Sequence, residues 1–381
     1  MNPKDESALP HGETASGPLE GRPPKELGDL QKAITMAQIA KAAGVSQGAI
    51  SSLLNDRDYG IRVSEKTRER VFKVCREMGY IPNDLRAVVR MYPELGEYCL
   101  LISDAFPAGL SDPFIARIAR AAMAAVDDPS HPLILAFYDP ARDYSGNLDS
   151  LPHPIRNGVA SKFLFYGPIN VSLVTHIQRR GLTVVSLGAD APIPGVISLI
   201  PDYAAASRLA IEHLFGLGHE RIGIVSGPFG TSDAPTIALH RGVKAVYDER
   251  KVPIEAQNIV YGDLSYQAGA TAFENLLSHA NAPTAVFCLS DAAAAGVISA
   301  AHAHGLSVPR DLSVVGCYDD FCAQLIMPAL TTANIPAEQM AEQGVKLLER
   351  VIRESLVPEP QRHILPVTLV TRQSTGPKKT A

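Results

Sequence analysis

Small and polar residues occupy the outward positions of a short helix that the sequence predicts near its N-terminus. The segment Met36–Asn55 reads MAQIAKAAGVSQGAISSLLN. On its second helix the outward residues are Gln47, Gly48, Ser51 and Ser52, whose side chains are small or form hydrogen bonds. These properties suit a helix that enters the major groove of DNA and contacts base edges.

The residues around this face predict the helix-turn-helix that would position it. Ile39 lies on the inner face of the first helix, and Gly44 stands at the turn, where a positive φ is easiest for glycine. Ser46 is a good N-cap for the second helix, and Ile50 and Leu53 face inward at helical spacing. An ordinary helical hairpin is the alternative, but it does not require all these positions to coincide.

The charge of the chain is distributed unevenly. The whole sequence carries a formal charge of −5, whereas residues 31–92 hold eleven Lys and Arg against six Asp and Glu. That segment is therefore at +5 and the remainder at −10. A basic head on an acidic body suits contact with phosphates, although many small helical domains are mildly basic.

Beyond Tyr98 the pattern changes to short apolar runs that alternate with amphipathic helices. The runs are Tyr98–Ser103, Leu133–Tyr138, Lys162–Gly167, Thr183–Gly188, Arg221–Gly227, Thr284–Leu289 and Ser313–Tyr318. Continuous apolar strands flanked by helices indicate parallel strands that are buried on both faces. We therefore predict an α-helical helix-turn-helix head followed by two doubly wound, parallel-sheet α/β lobes.

Several classes of protein are disfavoured by what the sequence lacks. Its five cysteines form no C-x-x-C pair, which argues against a disulfide framework or a zinc site, and we expect no cofactor and no metal. No apolar run approaches the ~18–20 residues of a membrane span, and the N-terminus has no signal-peptide core, so we expect a cytoplasmic protein without membrane contact.

An enzyme is the main rival interpretation of the α/β body. The sequence contains no G-x-S-x-G elbow, no G-x-x-x-x-G-K-[ST] phosphate loop and no G-x-G-x-x-G turn. His302 and His304 fall on different faces of a helix, and the adjacent Asp319 and Asp320 are more typical of cap or cleft residues than of an acid–base pair. A transport-type binding protein, the second rival, would not carry a helix-turn-helix.

The sequence resembles the LacI/GalR family of bacterial transcription regulators from Ile34 to about Pro366. The head matches through ITMAQIAKAAGVS, the terminal Asn of SSLLN, VSEKTRERV and GYIPN. The body matches through DPF, HLFGLGHERIGIVSGP, HRGVKAV, SDAAAAG, GLSVPRDLSVVG and PALTT. The resemblance implies a homodimer whose heads bind a near-palindromic operator in double-stranded DNA, and a small effector, typically a sugar, held between two lobes.

The composition along the chain and the resemblance together predict a domain organisation. We expect a disordered tail over 1–33, the DNA-binding domain over 34–81, a hinge and linker over 82–97, and a second disordered tail over 372–381. The two-lobed effector-binding and dimerisation domain would occupy 98–371. Repression is the usual mode of the family, while activation and corepression also occur.

The family's DNA contacts carry over position by position. Gln47, Gly48 and Ser52 are where the family contacts base edges, while Thr35, Ser46, Ser51 and Asn55 would hold phosphates. Asn83 would start the hinge, and Val89 is at the position of the minor-groove wedge. The head departs from many relatives in having Ser52 where they have Arg, so we expect Arg57 and Arg62 of the longer loop, with Arg86 and Arg90 of the hinge, to contribute to recognition.

The effector residues carry over in the same way. Asp112 and Phe114 should line the cleft from the first lobe, and Arg241 and Asp291 from the second. The alternative for Arg241 and Asp291 is a surface ion pair. The family's GFDD appears here as GCYDD, so either Tyr318 or Asp319 points into the cleft. Few aromatic residues and no Trp leave open a small or charged effector.

Overall fold

The computed structural model describes residues 34–55, 63–80, 82, 85–106, 108–126, 131–146, 148–191, 193–228, 230, 233–354 and 361–379. Contacts within the chain divide it into two compact units. The head comprises residues 1–53 and 57–81, and the body comprises residues 54–56 and 82–381.

The described residues of the head form three helices, α1 (Met36–Ala43), α2 (Gln47–Asn55) and α3 (Glu65–Met78). Gly44 ends α1 in the left-handed conformation with φ at 63°, as the predicted turn requires. The hydroxyl of Ser46 accepts a hydrogen bond from the backbone N–H of Ala49 at 3.1 Å, which confirms the predicted cap of α2. Ile50 is fully buried, but Leu54 is buried beside it rather than the predicted Leu53.

The segment predicted as hinge and linker contains a helix, α4 (Leu85–Met91), and a 3₁₀ turn at Pro93–Leu95. Two residues of the first lobe hold the linker through its carbonyl groups. The hydroxyl of Ser161 donates to the carbonyl of Pro93, and the ammonium of the buried Lys162 donates to those of Glu94 and Gly96. The linker is thus attached to the body through its backbone.

The first lobe is a six-stranded sheet with helices on both sides. In chain order it contains β1 (Glu97–Ser103), α5 (Pro113–Ala125), β2 (Leu133–Tyr138), α6 (His153–Arg156), β3 (Ala160–Tyr166), α7 (Val171–Gln178), β4 (Thr183–Leu187), β5 (Val196–Pro201), α13 (Ala337–Arg353) and β11 (Gln361–Leu365). The strand order is β11-β5-β4-β3-β1-β2, and the paired strands are parallel. Every residue of β1 after Glu97 is buried, because helices cover both faces of the sheet.

The second lobe repeats this arrangement. It contains α8 (Tyr203–Gly216), β6 (Ile222–Ser226), α9 (Ala234–Arg250), β7 (Ile259–Tyr261), α10 (Tyr266–Leu277), β8 (Ala285–Cys288), α11 (Asp291–Ala303), β9 (Ser313–Cys317), α12 (Cys322–Leu325), β10 (Thr331–Asn334) and β12 (Thr368–Val370). Its strand order is β12-β10-β9-β8-β6-β7, with β12 antiparallel to β10 and the other pairs parallel.

The chain passes between the lobes from β5 to α8, from β10 to α13 and from β11 to β12. The predicted fold class is therefore confirmed, and all seven predicted strands are present. The sequence did not predict β5, β7, β10, β11 or β12. Two of these, β7 and β12, have only three residues each, too few to show a periodicity.

The prediction of a disordered tail over 372–381 was wrong for residues 372–379. Ser374 is fully buried, and its hydroxyl donates to the carbonyl of Val314 and accepts from the backbone N–H of Thr331. The backbone N–H of Gly376 donates to Ser313 at 3.0 Å. The polar composition of the tail concealed this, because its hydrogen bonds are made to strands distant in sequence.

Within the described residues, no helix combines the length and apolar character needed to cross a membrane. The predicted tail over 1–33 lies outside the described residues.

Candidate DNA-binding head and effector cleft

The outward face of α2 is polar and accessible, as the sequence predicts. Gln47 is exposed, and Gly48, Ser51 and Ser52 are half-buried. The opposite face is anchored in the head by Ile50, which is fully buried. A helix held by one face with small polar residues on the other can approach base edges closely.

Two predicted phosphate ligands also have structural roles as helix caps. The hydroxyl of Thr35 accepts from the backbone N–H of Gln38, whose side-chain oxygen accepts from the backbone N–H of Thr35 at 2.8 Å. Ser46 caps α2 by accepting from the backbone N–H of Ala49, without a reciprocal side-chain bond. Both caps orient a helix N-terminus, where unpaired backbone N–H groups favour phosphate oxygens.

Some predicted DNA-binding residues cannot be placed. Arg57, Arg62 and Asn83 lie outside the described residues. Asn55 and Arg86 lie in α2 and α4, but their side chains also fall outside what the structure describes.

Val89 and Arg90, the two described hinge residues among the predicted DNA contacts, are both buried. Val89 is 3% exposed and packs beside Gly96, where a Cβ atom would lie 2.7 Å from Cγ1 of Val89 and would also meet Ser161. Only glycine leaves this space for the valine. The predicted wedge residue therefore lies against the first lobe in this structure.

Aromatic residues from both lobes converge where the lobes face each other. Phe106 stacks on Tyr166 with ring centroids 5.2 Å apart, and Phe114 meets Tyr318 edge-on at 5.0 Å. The hydroxyl of Tyr203 and the ring of Tyr166 both lie 3.4 Å from the position of a Cβ atom on Gly188. We call these five residues, Phe106, Phe114, Tyr166, Tyr203 and Tyr318, the aromatic cluster.

The two predicted first-lobe residues lie at this cluster. Asp112 is the N-cap of α5, and its Oδ1 accepts from the backbone N–H of Phe114 at 2.8 Å. Phe114 is buried in the cluster between Tyr166 and Tyr318. The cap fixes the first turn of α5 and so the direction of the Phe114 ring.

The two predicted second-lobe residues are not brought together. Asp291 is fully buried, and its carboxylate accepts from the hydroxyl of Thr332 and the backbone N–H of Asp320, both at 2.6 Å. Arg241 lies on α9 and is exposed. The alternative of a surface ion pair does not apply, because Asp291 is enclosed, and a role of either residue in effector binding stays a prediction.

The turn GCYDD at the end of β9 has an unusual backbone conformation, which determines where its side chains lie. Tyr318 and Asp319 both have positive φ, at 101° and 52°. This conformation turns the Tyr318 ring toward Phe114, while Asp319 forms an ion pair with Arg372 at 2.6 Å. Tyr318, rather than Asp319, thus belongs to the aromatic cluster.

Arg117, which the sequence did not single out, connects the lobes beside the cluster. Its guanidinium donates to both oxygens of Glu338, each at 2.8 Å, within the first lobe. It also donates to the carbonyls of Tyr318 and Asp319 in the second lobe, at 2.8 and 3.2 Å. Its Nη1 lies 3.6 Å from the carboxylate of Asp320. Arg117 therefore links α5 and α13 to the turn after β9.

Carboxylates near the cluster are held in a poorly solvated environment. Burial raises the pKa of Asp291 to about 8, against the lowering effect of its two hydrogen bonds. Burial also raises the pKa of Asp320 to about 6; Arg117 opposes this rise, and the negative charge of Asp112 adds to it. Asp112 and Asp320 come from different lobes, so the facing surfaces carry like charges close together.

Sequence reasoning missed Phe106, Tyr166, Tyr203 and Arg117. Tyr166 ends β3, and Tyr318 follows β9. The carboxyl ends of parallel strands are where ligands bind in open α/β sheets, and this rule was the available signal for both tyrosines. Arg117 carries no such signal, because its partners are 201 or more residues distant in the chain.

A helix-turn-helix head joined to a two-lobed α/β body, with aromatic and charged residues where the lobes meet, is typical of a class of DNA-binding regulators. Residues 35–83 match the model of bacterial regulatory proteins of the lacI family, and residues 211–375 match the periplasmic binding protein-like domain.

Curated relatives extend over most of the chain. The HTH-type transcriptional regulator DegA of Bacillus subtilis (strain 168) is 28% identical over 348 residues, which cover 91% of this chain and 99% of DegA. The HTH-type transcriptional repressor CytR of Escherichia coli (strain K12) is 28% identical over 84% of this chain and 89% of CytR. A solved complex of the transcriptional regulator CelR with cellobiose has a TM-score of 0.62 and 26% identity, covering 90% of this chain and 99% of that one.

The chain belongs to the lacI family of bacterial regulatory proteins and is a transcriptional regulator. The relatives named here are regulators of transcription and not enzymes.

Proposed function

We propose that this protein is a transcriptional repressor that binds a near-palindromic operator as a homodimer and responds to a small effector between its lobes. The observation that carries the proposal is the joining of two sites in one chain. The polar face of α2 suits base edges, and the aromatic cluster with its carboxylates suits a small polar ligand. CytR, which is named a repressor, favours this sign of regulation.

Exposed apolar side chains on or beside one outermost strand of each sheet, β2 and β7, support a dimer. Leu135 and Phe137 of β2 are 39% and 45% exposed, and Met123 of the neighbouring α5 is 62% exposed. In the second lobe, Tyr261 of the outermost strand β7 is 42% exposed, and Tyr266 follows at 48%. Exposed apolar side chains on edge strands favour association with a second copy.

In the proposed complex Gln47, Gly48 and Ser52 contact base edges, while Thr35, Ser46, Ser51 and Asn55 contact phosphates. Val89 enters the minor groove only if α4 leaves its position against Gly96 and Ser161. Insertion of Val89 into the minor groove would thus depend on release of α4 from the first lobe. This coupling offers a route by which the lobes control the head.

The effector proposed for the cleft belongs to the sugars and their derivatives. CelR, which is similar over 90% of this chain, was solved with cellobiose. Aromatic rings stack on the apolar faces of sugar rings, and carboxylates and phenols accept or donate hydrogen bonds to hydroxyls. Of the predicted cleft residues, Phe114 and Tyr318 belong to the aromatic cluster, and Asp112 adjoins it.

Selection of binding sites from random duplexes tests the operator. We expect a two-fold symmetric sequence, with affinity that falls steeply as salt rises. Gln47→Ala should weaken binding about tenfold, since one base contact is worth about 1–3 kcal/mol. Gln257→Ala, an exposed glutamine of the body, is the control. Enrichment of no symmetric sequence would refute the proposal.

A further inference from the structure

Three phenol groups of the aromatic cluster carry unused hydrogen-bonding capacity. The Tyr166 ring and the Tyr203 hydroxyl both adjoin Gly188, and the Phe114 ring lies between Tyr166 and Tyr318. Burial raises the pKa of all three phenols, so they are neutral at pH 7. Within the described residues, none of the three hydroxyls takes part in a hydrogen bond. Three phenol groups without a protein partner at one place can each exchange a hydrogen bond with a polar ligand.

The rings around these hydroxyls form a continuous wall. Phe106 and Tyr166 are nearly parallel, with 23° between their planes, and Phe114 lies 5.9 Å from Tyr166 and 5.0 Å from Tyr318. Arg117 already lies over the Phe114 ring at 5.7 Å. The wall therefore offers aromatic faces of the kind that attract cations.

Carboxylates from both lobes surround the same rings. Asp112 of the first lobe and Asp233 and Asp320 of the second lie close enough to Tyr166 to interact with it electrostatically. One oxygen of Asp320, Oδ1, is buried without a hydrogen bond. This oxygen is a polar group of the cleft that a ligand could satisfy.

Arg117, Arg120 and Arg372 are described cations beside the cleft, and two of them are already engaged. Arg117 is held by Glu338 and lies beside Asp320, and Arg372 is paired with Asp319. The three guanidinium groups are outnumbered by five carboxylates, those of Asp112, Asp233, Asp319, Asp320 and Glu338. The described surface of the cleft is therefore net negative.

We propose that the effector carries a protonated amine, and that it is a small amine-bearing polyol of the amino-sugar class, bound between the aromatic cluster and Asp112 and Asp320. This inference rests on the proposed effector role of the cleft and narrows its ligand class. An ammonium group between aromatic faces and carboxylates is stabilised by both. The hydroxyl groups of the same ligand can form hydrogen bonds with the three phenols. A phosphate or carboxylate in the same place would meet like charges.

Isothermal titration of the full-length protein with matched ligands tests the proposal. The panel contains glucosamine, galactosamine and mannosamine, the N-acetyl form of each, which has no positive charge, and the 6-phosphates of glucose, galactose and mannose. We expect at least one free amine to bind about tenfold or more tightly than its N-acetyl form, with no binding of the phosphates.

Three variants locate the binding. Asp320→Asn should weaken binding of the amine about tenfold, because it removes a carboxylate while keeping the shape of the side chain. Tyr203→Phe, which removes only a hydroxyl, should weaken it several-fold. Asp248→Asn, an exposed aspartate on α9, is the control and should leave binding unchanged.

The possible outcomes separate this inference from the proposed function. N-acetyl forms or phosphates that bind as tightly as the amines would overturn the amine class and leave a cleft effector standing. Amines that all fail to bind, or that bind equally to wild type and Asp320→Asn, would also overturn it. The proposed function is tested separately by the operator selection, and it fails if the protein selects no symmetric sequence.

Discussion

Asp291 is a carboxylic acid enclosed at the start of α11, where the sequence predicted an effector ligand. Both of its oxygens are occupied, one by the hydroxyl of Thr332 and the other by the backbone N–H of Asp320. Burial raises its pKa to about 8. At neutral pH the folded protein therefore holds a proton that an unfolded aspartate, with a pKa of about 4, releases.

This proton makes stability depend on pH. Because the folded state binds more protons than the unfolded state between about pH 4 and pH 8, the free energy of unfolding should fall as pH rises through that window. Asp291→Asn lacks this contribution. Relative to wild type, the variant should gain at least about 1 kcal/mol between pH 5 and pH 8, as measured by urea unfolding. Parallel pH profiles for the two proteins would show that Asp291 is ionised in the fold.

At the scale of elements, the C-terminal segment lies against the starts of β9 and β10, two interior strands of the second lobe. Its backbone pairs with β9, since the N–H of Val314 donates to the carbonyl of Ser374 at 2.8 Å. Two histidines contact the segment, His213 through the hydroxyl of Thr375 and His219 through the carbonyl of Gly376. Burial lowers the pKa of both imidazoles, which favours their neutral forms.

Removal of residues 373–381 should destabilise the body. The deletion leaves the backbone N–H groups of Val314 and Thr331 without their partners in Ser374, and we expect a loss of at least about 2 kcal/mol. Chemical denaturation followed by circular dichroism measures the change. Deletion of residues 380–381 alone is the control. Equal stability of the two truncated proteins would mean that the segment contributes nothing to the fold.

At the scale of the whole molecule, the body consists of two lobes that one side chain helps to hold together. Arg117 reaches from α5 to Glu338 on α13 and to two carbonyl groups after β9. Its side chain is 15% exposed, so solvent screens these contacts less than those of a surface ion pair. Lobes joined by three crossings of the chain can rotate about those crossings, and Arg117 opposes that motion.

Replacement of Arg117 should weaken the contact between the two lobes. Arg117→Ala leaves the carboxylate of Asp320 without its nearby cation, and we expect a loss of about 2 kcal/mol in stability. Faster amide exchange of residues 319 and 320 than in wild type would report the loosening directly. Arg362→Ala, whose ion pair with Asp190 lies at an exposed site, is the control and should change stability by less than about 1 kcal/mol. Unchanged exchange in Arg117→Ala would show that the lobes do not depend on this contact.

Local signals in the sequence were sufficient for the head. Gly44 and Ser46 act at the helix ends where the sequence placed them, because capping and turn geometry depend on residues within about four positions. The seven predicted strands are present for a related reason. A strand covered on both faces must be apolar throughout, and this pattern is visible in one dimension.

Only the tertiary structure decided which residues share the cleft. The sequence paired Arg241 with Asp291, whereas the fold leaves Arg241 exposed on α9 and encloses Asp291. The fold also brings Tyr166 and Tyr203 close to Arg117, although the three residues lie far apart in the chain and on different elements. The physical reason is that a cleft between two lobes is built from strand ends and helix starts, and their meeting depends on the packing of both sheets. By itself the sequence determined the head, the α/β class and the family; the packing decided the chemistry of the cleft.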